Sequence, residues 1–279
     1  MKTKSKFVLA IAMGSALAAS SAFGANFAFT NGDLILGFQA SAGTGSTQNV
    51  FFNLGSGVNA RDGVGMGTVK GNIGTTLTGV FGANWYSRSD VWFGVLGNLN
   101  NSSPTGALGT PAVSGDPSRT FYLSRAASTA GSAALISAAT YNSSALGSAG
   151  TKLGGMEAFL PNLTAQADGS AILDQSVSPT EWANSWTTWN PIGGASLTIF
   201  TGGVQQNFGK AGSETFIDLQ RVLATNTGAN PTGTVGGGTY EASYSISNTG
   251  NITMVPEPSS TLLVGVAGLG LALRRRRNA

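Results

Sequence analysis

Histidine and cysteine are both absent from the 279 residues. Without them the chain lacks the usual general base for a serine nucleophile, the cysteine nucleophile itself, and the common ligands of zinc, copper and haem. No disulfide can brace the fold, so its core must hold it alone. Charge is scarce too: Asp, Glu, Lys and Arg make up 10% of the sequence, which leaves the polar surface to Asn, Ser, Thr and Gly. Such a composition suits a secreted β-rich domain. Several nucleotide and metal motifs are missing as well. Gly209-Lys210-Ala211 is not a phosphate-binding loop, because Ala211 replaces the hydroxyl residue and Val204 stands where the first glycine belongs. Gly63-Val64-Gly65-Met66-Gly67 lacks dinucleotide spacing and reads as a turn, and no Asp-x-Asp-x-Asp-Gly calcium loop occurs. No catalytic residue, cofactor or metal follows from any motif. A Ser/Lys pair using Lys70, Lys152 or Lys210 is only a formal alternative, since none of the three sits in a recognisable motif.

What is present is clearest at the two ends. Lys2, Lys4 and Lys6 precede an apolar run from Phe7 to Ala19, and Ala22-Phe23-Gly24 supplies small residues for signal peptidase. Residues 1–24 are therefore expected to be a signal peptide, its helix removed before Ala25. The alternative, a retained N-terminal membrane helix, is disfavoured by a run of only about 13 residues.

Near the other end stand Val255-Pro256-Glu257-Pro258-Ser259, an apolar run from Ser260 to Leu273, and Arg274, Arg275, Arg276 and Arg277. The prolines keep the motif extended and open to an enzyme. The apolar run suits a single transmembrane helix, and the arginines act as a stop-transfer cluster that holds their side in the cytoplasm. At about 1.5 Å per residue it reaches roughly 21 Å against a hydrocarbon core of about 30 Å, so snorkelling arginines or local thinning must make up the difference. Gly268 and Ala272 form a small-xxx-small pair that either keeps the run weakly apolar or docks on a membrane partner.

Together, motif, apolar run and basic cluster at 255–279 resemble the PEP-CTERM sorting signal. Gly32-Asp33-Leu34-Ile35-Leu36-Gly37-Phe38 and the strands before Pro256 also look like segments of PEP-CTERM proteins. The resemblance implies an exosortase partner, a Gram-negative source and an inner-membrane intermediate. It further implies a final place at the cell surface or in the extracellular matrix of a biofilm, in association with exopolysaccharide.

Once the Lys-bearing leader and the four arginines are gone, eight basic residues face twelve acidic ones, or eleven if Glu257 is lost. The mature protein is mildly acidic, and nucleic acid is excluded as a partner for want of a basic patch. Residues 25–254 are long enough for one exported domain with a single core.

Short β-type runs separated by turn residues predict strands over Asp33 to Ala40, Val50 to Leu54, Val91 to Leu96, Thr120 to Leu123, Ala195 to Thr201 and Thr215 to Ala224. Tyr240, Ala242, Tyr244 and Ile246 alternate with Glu241, Ser243 and Ser245, and Asn248-Thr249-Gly250 turns that strand into Ile252 to Val255. Helices are expected over Asn72 to Phe81, over Ala126 to Leu146, and from a capping box at Ser178-Pro179-Thr180-Glu181 to just before Pro191. Asn100 to Ser118, broken by three prolines, reads as a surface loop. The expected architecture is mainly β, sandwich or jelly-roll-like, with a few short helices.

Two chemical readings remain. Asp90, Asp116, Glu157, Asp168, Asp174, Glu181, Glu214 and Asp218 could in principle supply a glycosidase pair about 5–9.5 Å apart, but nothing selects two of them. Trp182, Trp186 and Trp189 recur at helical spacing; exposed, they would stack on sugar rings, and against a sheet they would be core. Bulky residues at that spacing favour the core. The expected function is non-enzymatic, structural or adhesive, with a carbohydrate-active enzyme using paired carboxylates as the alternative.

Overall fold

Leu34-Ile35-Leu36-Gly37-Phe38 is apolar at nearly every position, as a strand covered on both faces must be. The computed structural model describes residues 24–99, 111–113, 116–117, 120–136, 143–189, 204–209, 214–223 and 237–256, and places that run inside a buried strand. In chain order the elements are β1 (Asp33–Ala40), β2 (Gln48–Ser56), α1 (Gly57–Arg61), β3 (Val69–Asn72), α2 (Gly74–Phe81), β4 (Val91–Leu99), β5 (Pro111–Val113) and β6 (Asp116–Pro117). Then follow β7 (Thr120–Ala127), α3 (Ser143–Phe159), β8 (Ala171–Asp174), α4 (Pro179–Trp182), α5 (Trp186–Trp189), β9 (Gln205–Asn207), β10 (Glu214–Val222), β11 (Thr239–Ser247) and β12 (Asn251–Val255).

The protein is mainly β with short helices. A 10-stranded antiparallel sheet runs β3-β12-β11-β10-β7-β4-β1-β2-β8, with β9 added beside β4, and it curls around its own core. β5 and β6 form a separate pair. Because strand residues alternate between faces, Leu36, Phe38, Phe52, Phe93, Leu219, Tyr244 and Met254 all point into the curl. Leu77 and Phe81 of α2 and Ala60 of α1 join them there. Phe208 stacks on Phe93 at 4.6 Å and meets Trp85 edge-on at 5.0 Å within the same core. Register also sorts the strand ends. Val255, Thr239, Leu99, Thr120 and Asp33 share one end of the sheet, called here the exit end; Asn251, Ser247, Val91, Gln48 and Asp174 share the far end.

The outer face is covered in two ways. Over β1, β2, β4 and β7, the side chains Ile35, Phe51, Leu96 and Leu123 pack under Leu153, Met156 and Phe159 of α3 and under Trp186. Trp186 lies flat on β1 because Gly37 has no Cβ; one added there would sit 2.2 Å from the indole. Over β10 and β11 the cover is polar. Asp218 accepts from the Gly131 amide at 2.9 Å, the Ala133 amide at 2.8 Å and the Ser243 hydroxyl at 2.6 Å. Gln220 accepts from the Ile136 amide at 2.7 Å and donates to the Ala134 carbonyl at 3.1 Å.

This polar cover explains one difference from the sequence expectation. No helix spans Ala126 to Leu146: Ala126 and Ala127 extend β7, the segment that follows gives its amides to Asp218 and Gln220, and α3 begins only at Ser143. The large apolar residues that can hold a helix on the sheet, Leu153, Met156 and Phe159, come later in the chain. Glu241, Ser243 and Ser245, which alternate with the apolar residues of β11, are buried as well. The single helix after Ser178 is two. The Ser178 side chain makes no cap hydrogen bond, and a turn through Asn184 and Ser185 separates α4 from α5, whose Thr188 amide is taken by the Ser185 hydroxyl at 3.1 Å. Asn100 to Ser118 is not all surface loop, since Asp116 within it is wholly buried. The strand expected over Ala195 to Thr201 lies outside the described residues. Asn72 to Phe81 does hold a helix, α2, which ends at Gly82 as expected.

Gly37→Val should therefore destabilise the domain by about 3 kcal/mol through overpacking against Trp186. Gly79→Ala, on the open side of α2 with nothing within 4 Å, should stabilise it by about 0.5–1 kcal/mol. Urea unfolding followed by tryptophan fluorescence measures both.

Candidate functional site

The strand that leads into Val255-Pro256-Glu257-Pro258 is held on both sides. β12 pairs with β11 as far as Val255, opposite Ser243, and with β3 on its other edge. Beyond β3 the Met254 amide donates to the Thr68 carbonyl at 3.1 Å and its own carbonyl accepts from the Gly67 amide at 2.7 Å. Pro256 follows, exposed, and with no N–H it cannot continue the ladder. The motif thus starts where the folded domain stops. Glu257, Pro258, the apolar run and Arg274 to Arg277 lie outside the described residues, as does the expected signal peptide apart from Gly24. Among the described residues no helix is long and apolar enough to cross a membrane.

At the same end of the sheet lies the densest charge cluster. Asp116 is fully buried; it accepts the Tyr122 hydroxyl and the Arg221 guanidinium, the latter at 2.7 Å. Arg61, the last residue of α1, lies 2.9 Å from the same carboxylate as an ion pair rather than an aligned hydrogen bond. Arg221 also holds Glu241 at 2.7 Å. Burial pushes the Tyr122 hydroxyl far above its ordinary range, and the carboxylate beside it adds to the effect. Burial likewise raises Glu241, against the opposing pull of Arg221. The arginines neutralise the acids they touch, so this cluster ties α1, β6, β7, β10 and β11 together. Of its members the sequence singles out only Asp116 as a candidate acid. Arg61, Tyr122, Arg221 and Glu241 come together through register and a bulge at Leu219/Gln220, for which spacing gives no signal.

The other acids are dispersed. Asp90 is held by Arg88 through two hydrogen bonds, at 3.0 and 2.7 Å, which lower its pKa. Asp174 binds the Ser176 amide and hydroxyl in a turn and is lowered by them. Burial raises Asp168, but hydrogen bonds from Ser170 and Thr76 outweigh it and the net shift is down. Asp218 is part of the polar cover, Glu181 is half-buried on α4, and Glu214 is exposed at the start of β10. Glu157 differs: half-buried on α3, it is pushed up to about 7 by burial alone. No three His, Cys, Asp or Glu among the described residues are grouped to hold a metal ion.

The three tryptophans do not form an exposed stripe. Trp186 is fully buried on Gly37 and donates its indole N–H to Gln205 at 3.0 Å, so the sugar-stacking reading is corrected for this residue. The break between α4 and α5 is what lets it turn inward. Trp182 is half-buried at the edge of the outer core, and Trp189 is half-buried with the Lys152 ammonium 5.0 Å above its ring. Elsewhere, a shallow pocket of about 370 Å³ opens at the far end, lined by Asn72, Thr75, Thr78, Asn248 and Thr249 with Trp85. The polar lining is amides and hydroxyls, while Trp85 is buried beneath it with its ring against Phe208 and Tyr86.

Asp116→Asn should cost about 3 kcal/mol by leaving Arg61 and Arg221 without their shared countercharge, read as a lower urea midpoint at pH 7. Glu157 gives a pH signature. Its folded pKa of about 7 lies above the ordinary 4.5, so between those values the unfolded chain loses the proton first and stability falls as pH rises. Glu157→Gln should match the wild type near pH 4 and exceed it above pH 7, by about 2 kcal/mol after allowance for its partial exposure.

No curated protein and no solved structure matches the chain. The family described as the PEP-CTERM protein-sorting motif matches residues 255–277, which start at the last residue of β12 and take in all four arginines. That motif is the recognition signal of exosortase and implies export through a membrane-anchored intermediate. The chain is a PEP-CTERM sorting domain-containing protein, an exported β-domain carrying its sorting motif directly after its last strand.

Proposed function

We propose that the mature domain is a non-enzymatic surface or extracellular-matrix protein of a Gram-negative bacterium, structural or adhesive, and associated with exopolysaccharide in a biofilm. Signal peptidase removes residues 1–24, and exosortase then acts at the tail. The observation that carries this reading is the exposure of Pro256 immediately beyond a fully paired β12: an enzyme can reach the motif while the domain stays folded. The neutral amides and hydroxyls that line the far-end pocket support a carbohydrate partner over a charged one. A hydrolase with paired carboxylates draws less support, because Asp116 and Glu241 are both taken by Arg221.

The test is the mass of the protein recovered from the exopolysaccharide fraction and from membranes. The wild type is expected in the polysaccharide fraction, ending near Glu257 and without Arg274 to Arg277. The double variant Pro256→Ala/Pro258→Ala should keep the arginines and remain with the membrane. If both forms keep them, the tail is a plain anchor and the reading fails.

A further inference from the structure

The loop between α1 and β3 turns on Gly63, Gly65 and Gly67, with φ of 72°, 85° and 75°, a conformation that side chains resist. The residues between them stand outward. Val64 is 55% exposed, Met66 39%, and Val69 at the start of β3 62%, three of the five large apolar side chains exposed among the described residues. This loop is also the one clamped to the Met254 backbone, and a Cβ on Gly67 would lie 3.8 Å from the Pro256 ring. An apolar patch therefore borders the point where the tail leaves the domain.

The tail limits what that patch can face. From Pro256 to Ser260, where the apolar run starts, is four residues, which span at most about 14 Å when fully extended. The headgroup layer on each side of the hydrocarbon is itself roughly 5–7 Å deep. With the run inserted, Pro256 and the loop beside it are held within or just above that layer. Lys70, which follows Val69, has its ammonium over Gly65, where it can meet lipid phosphates while the apolar side chains enter between headgroups.

We propose that the loop from Gly63 to Val69 docks on the lipid surface while the tail is anchored, so that the precursor meets the membrane with its exit end down. Docking fixes the orientation of Glu257 and Pro258 above the bilayer and frees the far-end pocket to face away. The inference rests on membrane insertion of the tail and is independent of the polysaccharide association.

The chain has no cysteine, so single cysteines can be placed at will. Full-length protein in phosphatidylethanolamine/phosphatidylglycerol vesicles would carry an environment-sensitive fluorophore on Val64→Cys, Met66→Cys, Val177→Cys or Val266→Cys. Val177 is 78% exposed and follows Asp174 at the far end, which makes it the matched control. A headgroup-level lipid-borne quencher should remove about half or more of the emission from positions 64 and 66 and leave position 177 unchanged. Position 266 should be quenched by a quencher deep in the acyl region. Quenching at 266 with none at 64 and 66 overturns the docking alone. Absence of quenching at 266 overturns both the docking and the inserted tail. A blue shift at 64 and 66 that grows with protein density and is insensitive to the lipid quencher assigns the patch to a second copy, through the open edge of β3, and overturns the lipid assignment.

Discussion

Asp218 and Gln220 sit on the outer face of β10, where an antiparallel sheet ordinarily meets water, and both are buried against the amides of Gly131, Ala133 and Ile136. Each of those amides would otherwise be a donor without an acceptor in an irregular segment. Each carboxylate or amide oxygen would otherwise be a costly buried polar atom. Matching the two lets a stretch with few large apolar residues seal half of the sheet. The other half is sealed by apolar contact under α3 and Trp186. A sheet with two different covers can be buried on both faces from one short chain, and it needs no disulfide.

The two ends of the curled sheet are chemically unlike. The exit end gathers a buried charge cluster: Asp116, Tyr122, Arg221, Glu241 and Arg61 tie a helix, three strands of the large sheet and the small β5/β6 pair into one network. A network of this kind is a weak source of net stability compared with apolar packing, but breaking it is costly, and that makes the local arrangement hard to deform. The sorting motif emerges from the same end, off a strand paired on both edges. A processing enzyme therefore meets a short motif attached to a firm surface, with Pro256 marking the end of the hydrogen-bond ladder. The far end carries Asp90, Asp174 and Glu214 outside that network, and the shallow pocket lined by Asn72, Thr75 and Thr78 belongs to it.

Carboxylates illustrate why residue counting could not decide between a binding domain and a hydrolase. Eight acids were chemically eligible on sequence grounds. In the structure Asp90, Asp116, Asp168, Asp174 and Asp218 are each engaged by an arginine, a hydroxyl or backbone amides, in turns and covers that need them. Glu157 has its pKa moved toward neutrality by burial. Its position on α3 is set by packing of Leu153, Met156 and Phe159 beneath it, so its environment is a consequence of the outer cover.

The sequence by itself determined the sorting motif, the absence of thiol and imidazole chemistry, and the elements whose patterns are local. β1, the β11–β12 hairpin, α2 and the glycine turn at 63–67 follow from alternation, turn residues and helical spacing, which act over a few residues. Tertiary structure decided the rest, because it depends on what covers each face. Ala126 to Leu146 has helical composition, yet the buried acceptors of β10 hold the segment from Ser128 to Ile136 in turns and irregular backbone. Ser178 to Trp189 has one helical period, yet the space above Gly37 draws Trp186 inward and splits it. Arg61, Asp116, Tyr122, Arg221 and Glu241 are far apart in the chain, and only strand register and one bulge bring them to a common point.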